Sequence, residues 1–166
     1  VVLATGHSAR DTFQMLFDTG LTMESKEVAA GFRVEHRQSA INLSQYGMAD
    51  VAQTGAAPYK VTAQTANGRG VYSFCMCPGG WVVNASTEEG RLAVNGMSYS
   101  DRAGSNANSA IIVSVKKSDF PSDHPLAGIA FQRTLEEAAY QAGGGKIPVQ
   151  RLEDFKAHRS GGVGDV

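Results

Sequence analysis

Residues 71 to 80 read Val-Tyr-Ser-Phe-Cys-Met-Cys-Pro-Gly-Gly and hold both cysteines of the chain. Two thiols one residue apart suggest redox or nucleophilic chemistry, half of a metal site, or small packing residues beneath a turn. Zinc needs about four ligands. The four histidines of the chain do not fall at paired spacing, so no metal site is expected. On a regular strand Cys75 and Cys77 share a face, roughly 6.6 to 6.8 Å apart. That is at the edge of what a disulfide spans, so two reduced thiols are expected. Cys75 and Cys77 remain open as catalytic thiols or as small residues where a strand enters Pro-Gly-Gly.

Gly79 and Gly80 remove every side chain from the turn that follows, which lets a ligand or another backbone approach closely. Asn95 and Gly96 open a stretch rich in neutral hydrogen-bonding groups, running to Asn106-Ala107-Asn108-Ser109. Such a stretch suits a polar, uncharged ligand edge, and turn chemistry alone also accounts for its composition. Arg33, Glu35, His36 and Arg37 gather at a strand end. His36 is the candidate acid or base, since an imidazole titrates near neutrality; a solvated strand end is the other reading.

Several nucleotide motifs fail on spacing. Gly143-Gly144-Gly145-Lys146 lacks the rest of a phosphate-binding loop and the Ser or Thr after lysine. Gly164-Asp165 has no apolar strand leading into it, and Gly-x-Gly-x-x-Gly does not occur. The chain by itself carries no dinucleotide fingerprint.

The elements that must position these residues follow from periodicity and punctuation. Residues 1 to 6, an apolar run ending in Thr5-Gly6, read as a buried strand. Phe13, Leu16 and Phe17 share one face of a helix over 9–18 capped by Ser8, with Gly20 past its end. A strand is predicted over 28–36, a short helix over 38–46, and a loop over 48–58. Strands over 59–66 and 71–77 flank Asn67-Gly68, a tight-turn pair. Further strands follow over 81–86, 92–95 and 110–116. A helix starts near Ser122-Asp123-His124-Pro125 and ends at Gly143-Gly144-Gly145, and a shorter one covers 149–157. The tail 160–166 is too rich in glycine to expect order. The fold class is α+β: an antiparallel meander sheet or small barrel with two or three flanking helices, in a single domain spanning 1–166.

The chain has 166 residues, 42% of them hydrophobic, and 15 basic against 16 acidic side chains. That is long enough for a core and too evenly charged for a nucleic-acid groove. No apolar run approaches the roughly 20 residues of a membrane span. Two cysteines make no disulfide framework and point to the cytoplasm. No strand precedes residues 1–6 to complete a sheet, so a piece of a larger protein is expected.

Seven ordered segments, ATGHSARDTF, GFRVEHRQSAINLSQYG, YKVT, GRGVYSFCMCPGG, VNGMSYSDRAGSNANSAIIVSV, HPLAGIAFQR and PVQRLEDF, run from Ala4 to Phe155. Together they resemble a family of bacterial FAD-dependent dehydrogenases, NAD- or FAD-utilising oxidoreductases. The resemblance implies a Rossmann-type FAD domain interrupted by an inserted substrate or cap domain, which this chain would be. Residues 1–6 would be the remnant of an FAD-domain strand, with Ala4, Thr5 and Gly6 running close to the FAD. Gly79, Gly80, Asn95 and Gly96 would face the cofactor cleft. FAD is then expected in the full-length parent and not in the fragment, with the parent's FAD-binding domain and a small-molecule substrate as partners. Two rivals stand beside this reading: a binding or assembly module without redox role, and a thiol oxidoreductase using Cys75 and Cys77.

Overall fold

The computed structural model describes residues 2–6 and 8–160. In chain order the elements are α1 (Arg10–Asp18), β1 (Val28–Arg37), α2 (Gln38–Tyr46), β2 (Thr62–Gln64), β3 (Gly70–Cys77), β4 (Gly80–Asn84), β5 (Val94–Ser98), β6 (Asn106–Val115), α3 (Ala127–Ala142) and α4 (Leu152–Lys156). They group into two compact units, each built from discontinuous stretches. One comprises Glu27–Asn84 and Val94–Lys116, the other Val1–Lys26, Ala85–Ala93 and Lys117–Val166.

The first unit is the sheet unit. Four antiparallel strands run in the order β1-β6-β3-β2, and β4 pairs with β5 as a separate two-stranded ribbon. The α+β antiparallel class is as the sequence predicts. Both hairpins of the expected meander form, but they divide between the two sheets, because β6 and not β4 takes the place beside β3. The β2–β3 turn uses Gly68 at φ +78°. Pairing there is extended by Ser73, whose backbone N–H donates to the Val61 carbonyl (2.9 Å) while its Oγ accepts from the Val61 N–H (2.9 Å). β6 begins at Asn106, four residues earlier than its apolar run suggests. Asn106 to Ser109 pair with Arg37 to Val34, so these polar residues satisfy their backbone in a ladder and not in a turn.

The second unit is helical. The apolar residues Phe120 and Ala127 are buried in it, with the Phe120 and Phe131 rings 5.8 Å apart. α3 is preceded by a turn in which the His124 N–H donates to Ser122 Oγ (3.3 Å) and the Leu126 N–H to His124 Nδ1 (3.1 Å). Its start therefore lies past Pro125, at Ala127. Gly143 to Gly145 close it, the Gly145 N–H reaching the Tyr140 carbonyl at 2.9 Å. Arg10 of α1 meets Glu136 (2.7 Å) and Glu88 (3.2 Å); Glu88 also holds Arg91 (2.6 Å) and Arg133 (2.7 Å). These pairs and the Leu92 N–H to Glu136 carbonyl bond (3.0 Å) fasten the 85–93 loop to α1 and α3.

Residues 2–6 form no strand, and Val2 is 92% exposed. The expected strand start at Val1, and all of the 160–166 tail beyond Ser160, including Gly164-Asp165, lie outside the described residues.

Candidate functional site

The cysteine strand is irregular where it matters. Phe74 pairs with Ala110 and Cys77 with Asn108, so three steps on β3 match two on β6. The extra residue makes a β-bulge, and Cys75 sits in it at φ +45°. The strict alternation that would put both thiols on one face is broken here. Both cysteines are free thiols, Cys75 exposed and Cys77 half-buried. The Cys77 thiol donates to the Cys75 carbonyl at 3.4 Å.

The bulge turns that same carbonyl toward Arg33 of β1. It accepts from Arg33 Nη1 (3.1 Å) and Nη2 (2.9 Å). Nη1 also donates to Asn108 Oδ1 (3.0 Å), and Nη2 to Asn95 Oδ1 (3.4 Å). Asn108 is fully buried, and its Nδ2 meets no partner among the described residues. Gly96 leaves the space this cluster needs: a Cβ there would strike Asn108 Oδ1 and lie 2.8 Å from Arg33 Cζ. Asn95 and Gly96, singled out from the sequence, are thus brought together with the Cys75 backbone around one guanidinium.

The Pro78–Gly80 turn is buried and pinned from several sides. The Gly79 N–H donates to Gln38 Oε1 at 2.8 Å. Gly79 lies at φ +59°, and a Cβ on it would collide with the Arg102 carbonyl. A Cβ on Gly80 would collide with the Met97 carbonyl. The close approach that two adjacent glycines permit is made here by the chain's own backbone.

Glu35 joins β1 to the ribbon, its Oε2 accepting from the Val82 N–H (2.8 Å) and its Oε1 from Asn106 Nδ2 (2.7 Å). Arg33 and Glu35 are therefore tied into the sheet unit by hydrogen bonds, Arg33 half-buried and Glu35 and Arg37 exposed. His36 points to the opposite face of β1, by the period of two. Its Nδ1–H donates to the Ala107 carbonyl (2.8 Å), and its ring meets Tyr59 edge-on at 5.4 Å. Burial is the main cause that pushes the Tyr59 phenol above its ordinary pKa, against the opposing pull of Ser109 and Arg33. Ala4, Thr5 and Gly6 belong to the helical unit, in irregular backbone with Gly6 at φ +78°.

Sequence reasoning did not single out Gln38 or Asn42, and took Asn108 only as one member of a hydrogen-bonding stretch. Gln38 and Asn42 are buried and bonded to each other (Nε2 to Oδ1, 2.7 Å). They also hold the Ala57 carbonyl and N–H and the Ala49 carbonyl, each at 3.0 Å. Two amides four residues apart on one helix are the signal for such a clamp, since i and i+4 share a face.

Among the described residues no group of three or more His, Cys, Asp or Glu could hold a metal, and no helix is long and apolar enough to cross a membrane. The fit to a flavin dinucleotide is poor. α1 to α4 begin after Ala9, Arg37, Leu126 and Arg151, none behind a turn of several glycines, and the space at Gly79 and Gly80 is filled. These residues offer no cradle for a pyrophosphate.

Comparison with known proteins gives two matches. The model of a family described as FAD-dependent protein, C-terminal domain-like, matches residues 27–165. A curated protein of Clostridium beijerinckii, described as uncharacterized, is 50% identical over 163 residues. That alignment covers 96% of this chain and 31% of the relative, so the chain spans about a third of the relative's length.

Proposed function

We propose, on the premise that the chain belongs to the FAD-dependent protein, C-terminal domain-like family, that it is the substrate-binding or cap domain of an FAD-dependent oxidoreductase. The reaction is a dehydrogenation of a small molecule in the cytoplasm. The parent's own FAD-binding domain is the partner, and residues 1–6 are where the chain leaves that domain. The observation that carries this reading is the family match over 27–165, which takes in the whole Arg33 cluster. A bound flavin would supply the redox chemistry; the share of a cap is to bind the substrate, orient it and exclude water. The rim of that site is proposed to be the Cys75 bulge and the Asn95–Gly96 segment, with the buried Pro78–Gly80 turn as their support. All three are held in place by hydrogen bonds or close backbone packing, and preorganisation of this kind is what a binding site requires.

The test is an absorbance spectrum of the full-length protein, purified without added cofactor. Flavin bands that stay with the protein through gel filtration are the expected result. A colourless protein that takes up no FAD on reconstitution would refute the reading.

A further inference from the structure

Arg33 differs from the half-buried arginines of the helical unit. Arg10, Arg91 and Arg133 each face at least one carboxylate. Arg33 is half-buried, and its acceptors are all neutral: a peptide carbonyl and two side-chain amide oxygens. No carboxylate of the described residues forms an ion pair with it. Glu35, two residues on, has both oxygens committed, to Val82 and Asn106. A guanidinium partly withdrawn from water without a counter-ion is costly, and an arriving anion recovers that cost.

The geometry also says which edge is open. A guanidinium presents five N–H donors in a rigid plane. Nη1 and Nη2 converge on the Cys75 carbonyl, which uses the end-on edge, and the outer Nη1–H goes to Asn108. What remains is the side-on pair, Nε–H and the outer Nη2–H. Nε–H has no acceptor among the described residues. The outer Nη2–H has only Asn95 Oδ1, at 3.4 Å, and that oxygen already accepts from the Gly96 N–H at 2.8 Å. Asn95 is exposed, so the open edge lies beside solvent. A pair of parallel N–H donors is the arrangement that takes a carboxylate bidentately.

The pairing register supplies the rest of a ligand site. Arg33, Ala110 and Phe74 lie on one rung across β1, β6 and β3 and point to one face. Neighbouring strands lie about 4.7–4.9 Å apart. The two backbones are therefore two strands apart with only the Ala110 methyl between, and the Arg33 guanidinium reaches across to the carbonyl of Cys75, the residue after Phe74. Phe74 is 55% exposed, at the last β3–β6 pair before the bulge and beyond the reach of β2. We infer that this rung is the substrate subsite: Arg33 takes the carboxylate of a small carboxylic acid, and Phe74 receives the apolar or aromatic body. The inference rests on the substrate-binding reading above and names its substrate class.

Isothermal titration calorimetry on the full-length protein tests it, with phenylacetate as the probe and phenylacetamide as its neutral isostere. Phenylacetate should bind at least about tenfold more tightly than the amide, the difference expected for one charge-assisted contact. Arg33→Lys, which keeps the charge but loses the fork, should weaken phenylacetate several-fold, and Phe74→Ala should weaken both ligands. Absence of phenylacetate binding, equal affinity for the amide, or unchanged affinity in Arg33→Lys would each overturn the subsite. If Arg33→Lys fails to fold, the two ligands on the unaltered protein still decide. The flavin reading fails separately. A colourless protein that still discriminates acid from amide keeps the subsite and loses the flavin. A yellow protein indifferent to the acid does the reverse.

Discussion

Cys75 occupies a backbone conformation that side chains with a Cβ seldom adopt, at φ +45°. Holding such a residue there costs about 1–3 kcal/mol. Cys75→Gly should therefore leave stability nearly unchanged, the relief of strain offsetting the extra entropy of an unfolded glycine. Cys75→Val should lower it by more than about 1 kcal/mol, because a β-branched side chain fits this region worst. Urea unfolding monitored by Trp81 fluorescence measures both. At Gly79 the strain of φ +59° adds to a collision with the Arg102 carbonyl. Gly79→Val should cost about 2–4 kcal/mol, conformational strain and overpacking together. Gly68→Ala, at φ +78° but with open space around it, should cost about 1 kcal/mol. Equal losses at the two positions would mean that the Arg102 contact is not what Gly79 serves. The need for glycine at 79 and 80 was legible in the sequence, whereas the identity of what approaches them was not. Arg102 and Met97 stand about twenty residues away, and only the fold brings their carbonyls back.

At the scale of elements, the charge pattern of the helical unit makes a pH prediction. Glu88 accepts from three guanidinium groups, and Arg133 foremost holds its carboxyl down at about 2, against an ordinary 4.5. A carboxylate whose pKa is lowered on folding binds fewer protons folded than unfolded. Its contribution to stability is therefore complete above pH 4.5 and is lost as the pH falls toward 2. Glu88→Gln should be less stable than the unaltered protein at pH 7, and the gap should narrow steadily below pH 4.5. Thermal melts across that range measure it; a gap independent of pH would mean that charge is not what Glu88 contributes. The sequence showed these helices and the turn before the loop, through apolar spacing and glycine ends. It did not show that Arg10, Glu88 and Glu136 meet, since no periodicity links residues 126 positions apart. Nor did it show that Asn106 to Ser109 are strand: asparagine and serine favour turns locally, and here a ladder to β1 overrides that preference.

For the molecule as a whole, the apolar surface is the quantity to watch. Phe32, Phe74, Leu135, Leu152 and Phe155 are all more than 40% exposed, while the buried apolar residues include several alanines. Such a chain, matching about a third of its relative's length, should be more stable inside the longer protein than excised. Limited proteolysis should cut the excised 166 residues at least about tenfold faster than the same residues in the full-length protein. Equal rates would show that the chain is self-sufficient. The antiparallel α+β class was readable because hairpin signals such as Asn67-Gly68 are local. The strand order was not, because the choice between β4 and β6 as neighbour of β3 depends on packing between distant segments.

That strand order has a consequence in time. β6 stands between β1 and β3, yet it is the last of the four strands to be synthesised. Between the end of β1 at Arg37 and the start of β6 at Asn106 the ribosome adds 69 residues, the difference of the two positions. At about 5–20 residues per second that takes roughly 3–14 s. Throughout that interval β1 has no partner, and from the end of β3 at Cys77 the edge that β6 will cover is open as well. The nascent chain thus carries two unsatisfied strand edges, one of them bearing Phe32, for seconds before its centre arrives. Chaperone capture and misassembly during synthesis should be concentrated in that window and should end once Val115 has cleared the exit tunnel.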